Sequence, residues 1–501
     1  MFTQSKATSL VGLALLLPSC ATTAHHGARV VASCAVDDPT DSTDSPRIEG
    51  DTSVAQAAYR EQTNDEVIEP ARLLPVLEPD IDGDILPSSL KVAALEEMAL
   101  ANNPSIAEAY ANIEASRGRW VQVGLFPNPR LGYSGQQLGS GGQAEQHGVY
   151  IEQEFVRGGK LALNRAVACR EISLAEQRFE AQRRRVLTDV RMGYYDVLCA
   201  QIRLELTQEL VRIGNQATRA AENLFASEEG NRRDFLQARI DSQSALNFLE
   251  QARHRHLAAW RMLATVLGTP DMPPTNVAGE LDDPVLELAW QESLERLLSE
   301  SPEISAAWVE VERAQWAVDR AYVESVPDVN LQGVIQHDNS TGSSNGSLLV
   351  SIPIPVLDRN QGGIRQAEYE LVAAQHAAER VELGLQRRLA PAFERYSTGR
   401  SRVDNYSGGI LRDAEESLDL TRQGYQAGEI SFLNLLTAQR TYFQANLDYV
   451  EALCDMWSAS AEIEGLLLMN SLGEAPLAGP TGASSYRPAP KGALPTMAGP
   501  L

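Results

Sequence analysis

Alanine recurs every seven residues at Ala238, Ala245, Ala252 and Ala259, and the same ladder returns 200 residues later at Ala438, Ala445, Ala452 and Ala459. A strict seven-residue period keeps one face of a helix toward its neighbour and winds the pair into a left-handed supercoil. Alanine along that seam lets two backbones approach more closely than leucine would. The repetition extends beyond the seam: Phe225, Glu229 and Leu236 are answered by Tyr425, Glu429 and Leu436. Upstream, Pro104, Ile106, Ala109, Glu114 and Pro129 return at an offset of 198 as Pro302, Ile304, Ala307, Glu312 and Pro327. Correspondence held across both windows marks an internal duplication, so two similar halves are fused into one body.

Each half carries long helical stretches. The first runs from about Leu90 to Phe126 with a break at Asn103-Pro104, followed by one from about Gly159 to Ala226 and another to Leu267. In the second half Ile364, Ala367, Leu371, Ala374, Ala378, Val381 and Leu385 keep alternating three- and four-residue steps. A helix of 60–70 residues is about 100 Å long, which no compact globule accommodates. Pro391 and the Gly408-Gly409 pair are expected to bend the second-half helix.

Between the helices of each half the period changes to two. Leu131 and Tyr133 alternate with Arg130, Gly132, Ser134 and Gln136; after a turn at Gly139 to Gly142, Val149, Ile151 and Phe155 alternate with Tyr150, Glu152 and Glu154. The second half offers Val329, Leu331 and Ile335, a polar turn from His337 to Gly346, then Leu348, Val350, Ile352 and Ile354. Such alternation over about ten residues fits a membrane β-strand, apolar outward and polar toward a wet lumen, where Glu152 and Glu154 would sit. Four strands cannot close a barrel, and open edges are not tolerated in lipid. The chain must therefore oligomerise to satisfy its own backbone.

The net charge of −24 argues against nucleic acid as a partner. Residues 35–85 concentrate it, with 14 acidic and 3 basic side chains among Pro, Ser and Thr, as suits an extended leader. At the N-terminus Lys6 precedes an apolar run, Leu10 to Leu17, too short to span a bilayer. It ends in Leu17-Pro18-Ser19-Cys20, which resembles a bacterial lipobox; Val31-Ala32-Ser33-Cys34 is an alternative, and a secretory signal cleaved without lipidation is a third possibility. Cys20 is the favoured anchor. Cys169, Cys199 and Cys454 are expected to be small packed hydrophobes. The chain thus divides into a signal peptide (1–19), an acidic leader (20–85), a first repeat (86–270, hairpin 129–156), a linker (271–287), a second repeat (288–472, hairpin 327–355) and a disordered tail (473–501).

Ser351-Ile352-Pro353-Ile354-Pro355 followed by Asp358-Arg359-Asn360-Gln361-Gly362-Gly363, together with Gly424-Tyr425 to Gly428, Leu436, Ala438 and Gln439, resembles the TolC-like outer-membrane efflux protein family. The likeness covers about 90–470 and lies nearest the heavy-metal (CzcC/CusC-like) branch. It implies a mostly α fold with a β section. Duplicated helical hairpins would form a periplasmic α-barrel, and four strands per chain would contribute to a trimeric, twelve-stranded outer-membrane barrel. It also implies a lipid-anchored homotrimer working with a periplasmic adaptor and an RND-type inner-membrane pump, as a passive conduit. Heavy-metal, drug and solvent cargoes stay open. The family's periplasmic end closes at the turns between paired helices, here Ala226 to Leu236 and Ala427 to Leu436. Gate candidates are Glu228, Glu229, Arg232, Arg233 and Asp234 in the first half and Asn434 and Thr437 in the second.

No catalytic constellation or cofactor motif presents itself. Asp80-Ile81-Asp82-Gly83-Asp84 begins like a calcium loop, but Ile85 and Lys91 occupy the positions that need Gly and Glu. Gly158-Gly159-Lys160 lacks the rest of a phosphate loop and reads as a strand-to-helix turn. His254 and His256 lie two apart on a helix and face different ways, and the histidines show no metal-ligand spacing. The competing class is a soluble periplasmic coiled-coil scaffold, which leaves the alternating hairpins unexplained.

Overall fold

A computed structural model describes residues 90–138, 144–228, 231–281, 287–427 and 429–473. The signal segment, Cys20, Cys34, the acidic leader, most of the calcium-like loop, Glu229 and residues 474–501 lie outside them. Helices dominate, with one small sheet. Among the described residues no helix is long and apolar enough to cross a membrane.

Both repeats open with a short helix, a proline-led helix and a hairpin. α1 (Val92–Asn102) and α2 (Pro104–Val123) lead to β1 (Arg130–Leu138) and β2 (Ala144–Phe155). α5 (Trp290–Glu300) and α6 (Pro302–Val323) lead to β3 (Val329–Asp338) and β4 (Ser343–Ser351). The α1–α2 break falls at Asn103-Pro104 for a local reason. Pro104 fits a first helical position, and the Asn103 side chain accepts from Ser105 N at 3.0 Å. Its amide also donates to Val266 O at 2.8 Å, holding the kink against the end of the first repeat.

The long helices follow. α3 (Lys160–Ala226) is continuous over 67 residues, about 100 Å. Gly158 and Gly159 precede it at φ 73° and 71°, a left-handed turn that β-carbons disfavour, and this swings the chain from strand to helix. α4 (Arg232–Val266) returns along α3 with Ala238, Ala245, Ala252 and Ala259 all buried, so the alanine seam is real. In the second repeat α7 (Gln361–Asn405) runs through Pro391 and passes into α8 (Leu411–Gln426) by a π-helical turn, Tyr406–Ile410. That turn contains the Gly408-Gly409 pair and is where the helix departs from regular geometry. α9 (Phe432–Glu464) completes the fold with Ala445, Ala452 and Ala459 buried and Ala438 half-buried.

The main core gathers where helices of both repeats meet. Trp260, Leu263, Val186 and Val190 pack there with Leu385, Leu389, Tyr396 and Met456. Two tryptophans in corresponding places tie down the inter-repeat connection: Trp260 Nε1 donates to Met272 O at 3.1 Å and Trp457 Nε1 to Leu281 O at 2.8 Å. Tyr194 and Tyr396 do the same, through Ala278 O (2.7 Å) and Leu288 N (3.1 Å).

α7 and α9 approach closely at Gly399. A β-carbon there would lie 3.0 Å from Met456 N and 3.1 Å from its Cα, backbone atoms that cannot swing aside. Gly399→Val is expected to lower stability by about 1–3 kcal/mol through overpacking. Gly384→Ala, at a helical position with open space around it, serves as the control and should match or exceed the wild type in thermal melts. Equal melting of wild type and Gly399→Val would refute the close-approach explanation.

Two expectations are corrected. Cys199 and Cys454 are not isolated packed thiols: they form a disulfide between α3 and α9, with Cα atoms 6.1 Å apart and a sequence separation of 255. Cys169, buried on α3, is bonded as well. The second hairpin is also shaped differently. β4 stops at Ser351, leaving Ile352 and Ile354 exposed beyond it, because Pro353 and Pro355 have no N–H for a ladder. The turn is narrower than His337 to Gly346. The Asp338 carboxylate accepts from Ser340 N (2.8 Å) and Thr341 N (3.3 Å), and Gly342 takes φ 65°, so pairing resumes at Ser343.

Candidate functional site

The four strands form one antiparallel sheet in the order β1-β2-β3-β4, with β1 and β4 as its two edges. The repeats join in the middle of it, β2 on β3, from Gln146 opposite Asp338 to Phe155 opposite Val329. Alternation gives the sheet two unlike faces. One carries Leu131, Tyr133, Val149, Ile151, Ile335, Leu348 and Val350, of which Leu131 is 80% and Leu348 71% exposed. An exposed apolar face of this extent needs something other than water against it.

The opposite face is largely polar, Val334 and Leu349 apart. Glu152 stands directly across from Arg130 on β1 and Gln332 on β3, and it accepts a hydrogen bond from Asn330 Nδ2. Glu154 lies opposite Asn330, and Gln336 donates to Gln146 at 3.2 Å. Both glutamates therefore sit where the alternation predicts, on the face away from Val149, Ile151 and Phe155. Below them the chain leaves the sheet through a fixed corner. Lys160, 4% exposed, binds Asp328 at 2.8 Å, and the other oxygen of Asp328 accepts from Arg157 N at 2.9 Å.

At the other end of the long helices lie the two turns named from the sequence. Glu228 takes φ 61° in the first turn and is exposed, as are Arg232, Arg233, Asn434 and Thr437. Among the described residues Arg233 pairs with its neighbour Asp234, at 3.4 Å. Asn434 N donates to the capping Ser431 hydroxyl, and Thr437 Oγ1 donates to Leu433 O one turn back. Among the described residues, no contact within one chain brings these side chains together across the two hairpins. The link the sequence did not single out is an ion pair between Arg440 of α9 and Asp241 of α4, with Gln237 donating to Asp241 at 3.3 Å. Beside it Ala221, Ala238, Phe432 and Leu436 form a small apolar cluster joining both hairpins. The duplication held a clue: Asp241 and Arg440 are 199 residues apart, at adjacent steps of the same repeat.

Midway along the helices lie the disulfide and, about two helical turns away along α9, the π-helical turn. Arg402 reaches Asp455 at 3.3 Å, next to Cys454, while the Tyr406 hydroxyl donates to Asp448 at 3.2 Å. Partial burial, together with that bond to a carboxylate, pushes the Tyr406 phenol above its ordinary range. Burial lowers the His256 imidazole, while His254 stays exposed, so these two do not share a site. Among the described residues no group of three or more His, Cys, Asp or Glu side chains is placed to hold a metal ion.

This architecture has relatives. The family model for "Outer membrane efflux protein" matches residues 95–269 and again 293–467, a displacement of 198. The cobalt-zinc-cadmium resistance protein CzcC of Cupriavidus metallidurans is 25% identical over 378 residues, spanning 75% of this chain and 90% of CzcC. The nickel and cobalt resistance protein CnrC of the same organism is 26% identical, spanning 60% and 73%. Among solved structures, CusC superposes with a TM-score of 0.65 at 19% identity, over 75% of this chain and 91% of that one. With both of its repeats matched by the family model and its fold shared with CusC, the chain belongs to the outer membrane efflux protein family.

Proposed function

We propose that three copies of this chain form the outer-membrane conduit of a tripartite efflux system that exports heavy-metal cations passively. The observation that carries it is the sheet: four strands, one exposed apolar face, one polar acidic face and two edges unpaired within the chain. Lipid would cover the apolar face, but it cannot satisfy the edges, which only further strands can do. Three copies would supply twelve strands, enough to close a water-filled barrel. The long helices would continue the channel into the periplasm.

The energy for export would come from a partner RND-type pump through an adaptor protein. Glu152 and Glu154 would raise the local concentration of cations in the lumen. The names of CzcC and CnrC, which specify resistance to cobalt, zinc, cadmium and nickel, support metal cations as the cargo. Exposure of Glu228, Arg232, Arg233, Asn434 and Thr437 leaves them available to neighbouring chains, which supports a gate built between copies. Glu229 and Asp234 belong to the same proposed ring.

Planar-bilayer recording of the detergent-purified protein should show discrete conductance with cation preference, and Glu152→Gln with Glu154→Gln should reduce that preference. A water-soluble monomer without conductance would favour the scaffold instead. Anchoring is tested separately. Cys20→Ala should abolish incorporation of labelled palmitate, whereas persistent labelling would move the anchor to Cys34.

A further inference from the structure

The apolar face of the sheet ends, toward the hairpin turns, in a row that is not apolar. Across the four strands this row reads Gly135, His147, His337 and Ser344, each residue directly opposite the next. His147 and His337 are thus cross-strand neighbours on one face, and directly opposed residues keep their β-carbons about 4.5–5.5 Å apart. Neither is sealed in a core: His337 is exposed and His147 half-buried.

Each ring is held from its outer side by a hydroxyl. The Tyr133 phenol lies 2.6 Å from His147 Nδ1, and the Ser344 hydroxyl lies 3.3 Å from His337 Nδ1. A hydroxyl oxygen can accept from Nδ1–H, and a ring whose Nδ1 carries the proton keeps its lone pair on Nε2. That is the tautomer a metal ion needs, and an outer hydrogen bond of this kind is what fixes a ligating imidazole in place. No other residue of the row contributes charge.

We infer that His147 and His337 form a two-imidazole site for a divalent transition-metal ion of the zinc, nickel or copper type, on the outward rim of the sheet. Imidazole nitrogens select such ions over magnesium or calcium, which require oxygen ligands. With two protein ligands the remaining positions belong to water, so the ion exchanges freely. The site requires only the strand register and stands whether or not the chain conducts.

The test is calorimetric titration of the full chain, purified in detergent and stripped with chelator, with Ni²⁺ and Zn²⁺ and with Mg²⁺ as the comparison. One Ni²⁺ or Zn²⁺ should bind per chain at this pair, and Mg²⁺ should not compete. His147→Ala and His337→Ala should each weaken that event at least about tenfold, and Tyr133→Phe should weaken it less. Helical circular dichroism and melting confirm that each variant folds. Undiminished binding in the folded double variant would overturn the inference, since it would assign the ion to one of the other histidines. Equal competition by Mg²⁺ would overturn it too, because it would point to oxygen ligands.

Discussion

Replacing Cys199 or Cys454 with serine should lower the stability of the folded chain by about 2–4 kcal/mol, among the larger single-site effects available in this molecule. The bond closes a loop of 255 residues, which includes the whole inter-repeat connection and most of the second repeat. On the chain-entropy account a loop of this length restricts the unfolded ensemble by about 5 kcal/mol, and native-state adjustments commonly reduce what is realised. The cysteines also bring together helices from different repeats, α3 and α9. Thermal melts with and without a thiol reductant check this. The reductant should lower the midpoint of the wild type by more than that of Cys199→Ser, in which the Cys169 bond is still open to reduction. A wild type indifferent to complete reduction would show that packing alone holds the two repeats together.

Ile151→Arg should prevent stable insertion in the outer membrane. Ile151 is in the middle of β2 on the apolar face, with Leu131 opposite on one side and Gly333 on the other. Neither neighbour can pair a guanidinium. A charge at the middle of a lipid-facing strand costs about 2–4 kcal/mol, repeated in every copy of an oligomer. Tyr150→Arg, one residue away on the polar face, should be tolerated. Comparing the yields of the two variants in outer-membrane fractions isolates the face from the strand. Insertion of Ile151→Arg at the wild-type level would mean that this face does not meet lipid.

Much of the architecture was legible because it repeats. The alanine ladders, the Asn103-Pro104 break, the Gly158-Gly159 turn and the Gly408-Gly409 interruption are local signals, and each acts within a few residues of itself. What was not legible is non-local. Cys199 and Cys454 occupy positions that do not correspond between the repeats, so the duplication gave no reason to pair them. The early end of β4 is different. The alternation through Ile352 and Ile354 continued the apolar pattern, but Pro353 and Pro355 had already removed the N–H groups that a strand requires. At the helical turns the charged residues drew notice by their density. The pair that spans the hairpins, Arg440 and Asp241, is sparse in sequence and meets because α4 and α9 come near each other close to the turns.

The β2–β3 ladder has one more consequence. Since the central seam of the sheet already joins one repeat to the other, a wall closed by pairing β4 of one copy with β1 of the next would repeat that same kind of junction at every boundary. Three chains would then behave as six near-equivalent staves. A chain of one repeat would need six separate molecules to finish the cylinder, whereas the duplicated chain needs three.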